Sequence, residues 1–468
     1  MKTTIIGAGI AGLASAVRLA AAGQQVTVLE ANNYVGGKLS QFSQAGFRFD
    51  AGPSLFTMPQ FVEELFQLAQ KDIQPYFEYE RLQTICHYFY EDGTRILAHA
   101  DKQQFADEVA KKLDISPQII LDRLNHSKVL YDYTSNVFLE QSLHKWKNYF
   151  SKQVIDCIFN IHKLHIFNTM NGVNEKTLKH PKLVQLFNRF ATYNGSNPYL
   201  ASGIMNIIPH LEHNIGAFIP KKGMYEITNA IYGLAKDLGV TFETETQAEE
   251  IVVENKKTKG VVSVSNAQKR LLPSDFVISN SDVVPTYKKL LKHEQIPYHI
   301  EKQERSSSAL IFYWGINKNF EELGVHNIFF TENYPAEFDC LFKTKTLYHD
   351  PTVYINITAK KCKADAPEGC ENWFVMINAP ANYGQNWDLF IAEARKNILS
   401  KLGRMLGVNI EPLIQTEGIL SPPLIEAKTT SFRGSLYGTS SNTMMSGFLR
   451  HPNFSQKIKN LYFCGGSV

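Results

Sequence analysis

The first 38 residues constrain the fold of this chain more than any other stretch. A short apolar run from Thr4 to Ile6 is typical of a buried parallel strand. The segment Gly7-Ala8-Gly9-Ile10-Ala11-Gly12 leads from it into a helix that ends near Gly23. In this spacing the first glycine permits a tight turn, the second lets backbone approach a diphosphate, and the third lets helix and strand pack closely. The pattern predicts a dinucleotide site at the N-terminus of the helix, whose unpaired N–H groups attract phosphate.

The next strand, Val26 to Leu29, ends at an acidic residue. Glu30 lies about twenty positions after the glycines, where a carboxylate accepts hydrogen bonds from a ribose and repels a 2′-phosphate, so NADP is disfavoured. Gly36-Gly37-Lys38 adds two more glycines and a cation that offsets the diphosphate charge, which favours FAD over NAD. A glycine-rich turn without a ligand is the alternative interpretation.

Length, composition and charge indicate a globular protein. The chain has 468 residues, enough for about two or three domains, and 20% of them are charged. The net charge of +3 is too small to favour a nucleic-acid partner. The six cysteines and the histidines, including the pair His162 and His165, do not form a pattern typical of a metal site. We therefore predict reduced thiols, no metal and a cytoplasmic location.

The sequence contains no segment that we expect to cross a membrane. Arg18 interrupts the apolar stretch at the N-terminus, and no other run reaches the roughly 18 apolar residues of a spanning helix. We therefore predict neither a signal peptide nor a transmembrane helix.

Aromatic residues are concentrated in a helical region between about Lys102 and Asn214. Buried helix faces are one interpretation, and an apolar tunnel or a membrane-contacting surface is the other. The residues are Tyr131, Tyr133, Phe138, Trp146, Tyr149, Phe150, Phe159, Phe167, Phe187, Phe190 and Tyr193.

The remaining chain alternates between two kinds of structure. A helix and several strands between Pro220 and Asn280 resume the nucleotide-binding domain after the helical insert, and Leu461 to Cys464 is a last strand. Four further segments rich in β-branched and aromatic residues predict a sheet in a second domain. They are Ser307 to Ile316, Asn327 to Thr331, Thr352 to Thr358 and Trp373 to Asn378, and Trp387 to Leu406 then predicts a helix.

A set of segments along the whole chain resembles one known family. They are Gly7 to Gly12, Glu30, Gly36 to Lys38, Phe49 to Pro53, Ile219 to Met224, Ser279 to Asp282, Gly434 to Gly438 and Leu461 to Gly466. Together they resemble the bacterial phytoene-desaturase type of carotenoid desaturase, in the flavin amine oxidase superfamily. Within that type, Leu55 to Pro59 and Gly434 to Gly438 are more similar to the 1-hydroxycarotenoid 3,4-desaturases.

The resemblance implies an α/β fold with a discontinuous, Rossmann-like FAD-binding domain. This domain would comprise residues 1–75, 215–285 and 415–468, and an inserted α+β substrate domain rich in helices would comprise residues 76–214 and 286–414. The implied cofactor contacts are Gly7, Ala8, Gly9, Ile10, Ala11, Gly12, Glu30, Ala31, Gly36, Gly37, Lys38 and Leu39 for the ADP half, Ala248 for the adenine, Gly52, Pro53 and Ser54 near the flavin, and Gly465 and Gly466 after the last strand.

The implied reaction is FAD-dependent desaturation of a C30–C40 polyene at a membrane surface. Flavin N5 would accept a hydride, the resulting cation would be delocalised over the polyene, and a proton would then leave. This chemistry needs no strong acid–base set, and we assign no catalytic residue. In the family, the last strand continues into a His-Pro-Gly-rich segment beside the flavin. The printed sequence stops at Val468, before such a segment, which predicts weakened FAD binding.

Three other functions remain open at this point. A phytoene desaturase would share the cofactor and the reaction type. An amine or protoporphyrinogen oxidase would keep the fold and change the substrate. A prenyl-lipid-binding protein, like the Rab GDP-dissociation inhibitors, would keep the fold without using a flavin.

Overall fold

The N-terminal segment forms a strand–turn–helix unit. Its first strand, Lys2–Ile6, is followed by Gly7, whose φ of +95° is accessible mainly to glycine. The helix Ile10–Ala21 follows Gly9 and buries Leu13, Ala16 and Val17. The predicted start of the dinucleotide-binding fold is therefore present.

The computed structural model describes residues 1–138, 144–145, 148, 154, 157, 159–160, 163–443, 446 and 450–468. The strands are β1 Lys2–Ile6, β2 Gln25–Leu29, β3 Gln41–Gln44, β4 Phe47–Asp50, β5 Tyr79–Arg81, β6 Thr84–Phe89, β7 Arg95–His99, β8 Phe218–Pro220, β9 Thr241–Glu243, β10 Gln247–Glu254, β11 Lys257–Ser265, β12 Gln268–Pro273, β13 Phe276–Ser279, β14 Ser308–Ile316, β15 His326–Phe329, β16 Val353–Ile357, β17 Glu371–Ala379, β18 Ile414–Leu420 and β19 Leu461–Phe463. The longer helices are α1 Ile10–Ala21, α2 Gln60–Leu68, α3 Lys102–Leu113, α4 Gln118–Phe138, α5 Met170–Leu178, α6 Pro181–Asn188, α7 Tyr225–Asp237, α8 Trp387–Leu406 and α9 Pro422–Thr429. The shorter helical segments include Arg189–Asn194 and the π-helix His210–Ile215.

The first sheet is parallel and has the strand order β19-β13-β1-β2-β9. Ile5 and Val28 pack on one face with residues of α1 and α7. Ile6 and Leu29 pack on the other face with β10 and β11, which belong to a separate three-stranded sheet. Because both faces are covered, four consecutive residues of β1, from Thr3 to Ile6, are buried, which differs from the alternating burial of a strand with one face in water.

The second sheet has seven strands in the order β18-β14-β17-β16-β15-β6-β7. All its neighbouring strands are antiparallel except β6 and β15, which are parallel. One face packs on α8 through Ile398 and Leu402, in a core that includes Ile355 and Val375. All nine residues of β14 are buried, so its second face is covered as well.

The two largest sheets take their strands from different segments of the predicted domain division. The parallel sheet takes its strands from the segments 1–75, 215–285 and 415–468. The seven-stranded sheet takes six strands from the two segments predicted for the substrate domain, together with β18. Because β18 pairs with β14, we place the boundary between the substrate domain and the last FAD-binding segment after Leu420 rather than at residue 415. The division into two domains stays a proposal.

The aromatic region divides between core and surface. Phe187 and Phe190 are fully buried, as expected for helix faces in a core. Phe159 and Phe167 are 76% and 75% exposed. Trp146, Tyr149 and Phe150, the side chain of Phe138, and His162 lie outside the described residues. Within the described part of the chain, no helix is both long enough and apolar enough to span a membrane.

Candidate functional site

A cleft of about 920 Å³ lies where β1, β2 and β13 end. Ligands of open α/β sheets bind at the carboxyl ends of the strands, so the position is the expected one. Fourteen of the predicted cofactor residues line it: Gly7, Gly9, Ile10, Ala11, Glu30, Ala31, Gly36, Gly37, Lys38, Leu39, Pro53, Ala248, Gly465 and Gly466. Ala8 and Gly12 are absent from this lining, and Gly52 and Ser54 line a second cavity beside it.

The glycines of the cleft are required by close backbone contacts. A Cβ on Gly12 would lie 2.2 Å from the carbonyl oxygen of Gly7, so only glycine permits this packing of α1 on β1. A Cβ on Gly37, whose φ is +59°, would lie 3.3 Å from the Cα of Gly9. The two glycine-rich turns therefore meet, and they leave bare backbone facing the cleft, a surface that suits a diphosphate.

Glu30 is buried at the end of β2 and holds the neighbouring loop. Its Oε2 accepts a hydrogen bond from the Ala8 N–H at 2.8 Å. Its Oε1 accepts from the backbone N–H of Asn32 at 2.9 Å and from the side-chain amide of Asn32 at 2.8 Å. A carboxylate has about four acceptor positions. One acceptor position therefore remains for a ribose hydroxyl, so the Glu30 carboxylate fits the ADP half of FAD.

Asn280 is a lining residue that the predicted set omits. It follows β13, and its Nδ2 donates to the carbonyl oxygen of Gly7 at 3.2 Å. The same amide nitrogen would lie 2.8 Å from a Cβ on Gly9 or on Gly12. Its position after a parallel strand could have indicated a site residue, because such strand ends meet at one edge of the sheet.

Lys38 lies where the two cavities meet. Its Nζ donates to the carbonyl oxygen of Leu436 at 2.6 Å. Burial lowers the pKa of Lys38 to about 8, and the nearby carboxylate of Asp282 partly opposes that shift. The ammonium group is therefore poorly solvated, and a bound diphosphate would favour its charged form.

The second cavity has a volume of about 700 Å³ and is bounded by one face of the seven-stranded sheet. Five of its lining residues are consecutive cross-strand partners on β15, β16, β17, β14 and β18: Ile328, Tyr354, Met376, Ile311 and Leu420. We call these residues the cross-strand row. Four spacings between strands of about 4.8 Å make it roughly 19 Å long. The row is a mainly apolar surface suited to an elongated ligand.

The segment from Ala51 to Ser54 lies against this sheet face. The hydroxyl of Tyr313 on β14 donates to the carbonyl oxygen of Ala51 at 2.8 Å. Ser54 Oγ lies 2.7 Å from the hydroxyl oxygen of Tyr354 on β16. The segment is thus fixed to two strands of the sheet, and Pro53 within it lines both cavities.

One end of the second cavity is polar. Arg189 Nη2 donates to Glu212 Oε1 at 2.6 Å, and Arg189 Nε donates to the hydroxyl of Tyr88 at 2.9 Å. The hydroxyl of Tyr193 donates to the other oxygen of Glu212. We call Tyr88, Arg189, Tyr193 and Glu212 the polar cluster. The sequence alone does not reveal this cluster, because its members come from three elements that are distant in sequence: β6, the segment Arg189–Asn194 and the π-helix His210–Ile215.

Comparison with known proteins places the chain in a family. Residues 10–311 match the family described as flavin containing amine oxidoreductase. The chain is 50% identical over 467 residues to a 1-hydroxycarotenoid 3,4-desaturase from Flavobacterium sp. (strain P99-3), covering 100% of this chain and 94% of the relative. It is 32% identical over 483 residues to a 4,4'-diapolycopene oxygenase from Methylomonas sp, with the same coverage of 100% and 94%.

A solved structure supports the fold. An oxidoreductase from Methanosarcina mazei superimposes with a TM-score of 0.61 at 16% identity, covering 100% of this chain and 95% of that one. The predicted α/β fold class is therefore confirmed. The chain belongs to the flavin-containing amine oxidoreductase family, and the prediction of an FAD-dependent oxidoreductase is confirmed with it.

Proposed function

We propose that this protein is an FAD-dependent desaturase that introduces a C=C bond into a carotenoid. The preferred reaction is 3,4-desaturation of a 1-hydroxylated acyclic or monocyclic carotenoid. The observation that carries the proposal is an elongated, mainly apolar cavity that meets the nucleotide cleft at Pro53. The 50% identity to a 1-hydroxycarotenoid 3,4-desaturase supports the choice of substrate.

The cleft residues would hold the cofactor along its length. The turns at Gly9 and Gly37 would contact the diphosphate, Glu30 a ribose, and Ala248 the adenine. Lys38 would offset the phosphate charge. FAD, when bound, supplies a hydride acceptor.

The chain's own residues would act by positioning the substrate. The cross-strand row would hold the polyene straight, and the segment from Gly52 to Ser54 would set the reacting bond against the cofactor. The apolar lining excludes water from the positive charge that hydride loss leaves on the substrate. Because conjugation spreads that charge over the polyene, orientation rather than a strong base lowers the barrier.

We expect FAD affinity to depend on the protonation of Lys38. In the flavin-free protein its pKa of about 8 makes the side chain increasingly neutral above pH 8. Affinity should be highest below pH 8 and fall by up to about tenfold per pH unit above it, because binding must then restore a proton. Fluorescence titration with FAD between pH 7 and 9.5 measures this dependence.

Lys38→Met provides the comparison for that titration. It should bind FAD more weakly at pH 7 and lose the decline above pH 8. An equal decline in both proteins would show that another group causes it.

The substrate is tested by incubating the full chain and FAD with a 1-hydroxylated acyclic carotenoid and, separately, with phytoene. We expect a red-shifted product that has lost two hydrogens, formed faster from the hydroxylated compound. Preference for phytoene would support a phytoene desaturase, and a product that gains oxygen would support an oxygenase. Turnover of an amine alone would contradict the proposal.

We also expect the protein to bind membranes peripherally, because a long polyene is stored only in lipid. Phe167 and Leu200 are 75% and 47% exposed, and the segments that carry them are joined by the Gly203 N–H bond to the Asn168 carbonyl oxygen. Phe167→Ser should reduce co-sedimentation with carotenoid-loaded liposomes several-fold.

Leu271→Ser is the matched control for the liposome experiment. Leu271 is 52% exposed on β12, in the three-stranded sheet. Its substitution should leave sedimentation unchanged. Equal effects of Phe167→Ser and Leu271→Ser on sedimentation, or no liposome binding by either variant, would contradict the assignment of the surface around Phe167 and Leu200.

A further inference from the structure

His326 carries a buried polar atom that the fold does not satisfy. The residue is 4% exposed, begins β15 and lines the second cavity. Its Nδ1 lies 2.7 Å from the hydroxyl oxygen of Tyr354. Its Nε2 has no hydrogen-bond partner among the residues that the structure describes. A buried polar atom without a partner is costly, so a ligand is the natural candidate to satisfy it.

The neighbouring amide determines which ring nitrogen carries the proton. Asn356 Nδ2 donates to the carbonyl oxygen of Val325 at 3.0 Å, and only an N–H can meet a carbonyl oxygen, so the orientation of the amide is fixed. The same Nδ2 lies 3.3 Å from His326 Nδ1, which must then accept. Burial lowers the pKa of His326 to about 4, so the ring is neutral and its one proton is on Nε2.

The polar cluster indicates what kind of acceptor can bind the His326 Nε2–H. The carboxylate of Glu212 is already neutralised by Arg189 and accepts from Tyr193 as well. The cluster therefore offers no uncompensated charge, and an ionic ligand would lose its solvation without gaining a counter-ion. A neutral oxygen acceptor at the end of an apolar molecule fits the free donor.

The donor lies close to the predicted flavin side of the cavity. Ser54 Oγ is 2.7 Å from the Tyr354 hydroxyl, which is 2.7 Å from His326 Nδ1. Two successive hydrogen bonds thus connect the segment beside the flavin to the imidazole. In a 1-hydroxylated carotenoid the hydroxyl oxygen is only a few bonds from the C3–C4 bond. The hydroxyl group must therefore bind close to the flavin side of the cavity, where the C3–C4 bond reacts.

We propose that the His326 Nε2–H donates a hydrogen bond to the hydroxyl oxygen at the end of the carotenoid, and that this contact selects hydroxylated substrates. The inference rests on the proposed function and names the residue that determines specificity. The rest of the polyene would run from Tyr354 across Met376 and Ile311 toward Leu420. Tyr354 and Asn356 act as positioning residues that keep the imidazole in the donating tautomer.

The test compares variants that keep or remove the donor. His326→Phe retains a ring and loses the N–H, whereas His326→Gln can place an amide N–H near the position of Nε2. Dissociation constants are measured with FAD-loaded protein from the absorption shift of the carotenoid, using a 1-hydroxylated compound and its analogue without the hydroxyl. We expect His326→Phe to weaken binding of the hydroxylated compound about tenfold, with little change for the analogue. His326→Gln should recover most of the loss.

Met376→Leu is the matched control, because it conserves volume in the cross-strand row and changes no donor. It should affect both compounds by the same factor. If His326→Phe also changes the dissociation constants of the two compounds by the same factor, or changes neither of them, the inference is wrong. Hydroxyl-selective binding that depends on His326, without desaturation of either compound, would preserve the inference and contradict the proposed function. Desaturation without such selectivity would support the proposed function and contradict the inference about His326.

Discussion

Gly9→Val is expected to give a folded protein that no longer retains FAD. The Cβ of any side chain at this position would lie 2.8 Å from Asn280 Nδ2, and the valine methyl groups would occupy the cleft where backbone should meet the diphosphate. The contact is with a side chain at the surface of the cleft rather than with the core. We therefore expect FAD affinity to fall at least about 100-fold, or roughly 2.7 kcal/mol, with a much smaller effect on folding.

Flavin absorbance after purification and FAD titration measure this effect, and circular dichroism reports folding. Gly403→Ala is the matched control, because the nearest atom to its new Cβ is 3.6 Å away and the residue is in α8, away from the cleft. It should leave FAD binding unchanged. Glu30→Ala should also weaken binding, since it removes the acceptor that holds Ala8 and Asn32. Unchanged affinity in both cleft variants would contradict the assignment of this site.

Arg189→Met is expected to destabilise the protein by about 3–5 kcal/mol. Arg189 and Glu212 are both almost completely buried, and their attraction holds the pKa of Glu212 below its usual value against the opposing effect of burial. Removing the cation leaves a buried carboxylate whose remaining contacts, among the described residues, are the Tyr193 hydroxyl and the His213 Nε2 at 3.7 Å. The loss is measured as a lower melting temperature by circular dichroism.

Two further variants separate the buried charge from other effects. In Arg189→Met combined with Glu212→Leu neither charge remains, so most of the lost stability should return. Lys128→Met breaks the ion pair with Asp132, whose side chains are about half exposed, and should cost no more than about 0.5 kcal/mol. An Arg189→Met protein as stable as Lys128→Met would contradict this account of the polar cluster.

The nucleotide cleft could be predicted in detail because its residues are local in sequence. The turns at Gly7 to Gly12 and Gly36 to Lys38 each fix their own geometry, and a strand end places Glu30. Ala248 lines the cleft although it is distant in sequence, and its prediction came from family resemblance rather than from its own pattern. Asn280 was not predicted because a single asparagine belongs to no spacing motif, and its place after a parallel strand was the one signal that could have indicated it.

The second cavity could not be predicted from local patterns. Its cross-strand row depends on the register of five strands, and β18 joins them from beyond the helix α8. The predicted segments correctly identified strands, but an apolar strand does not specify which of its faces borders a cavity. His326 depends on the same register, since its contacts with Tyr354 and Asn356 arise only when β15 pairs with β16.

The most direct test of the central claim is anaerobic mixing of the FAD-loaded protein with an equimolar amount of a 1-hydroxylated acyclic carotenoid. If the protein is a flavin-dependent carotenoid desaturase, the visible absorbance of the oxidised flavin should disappear at the same rate as the carotenoid spectrum shifts to the red. A flavin that stays oxidised while the carotenoid remains unchanged, and that is reduced when an amine is supplied instead, would contradict the account.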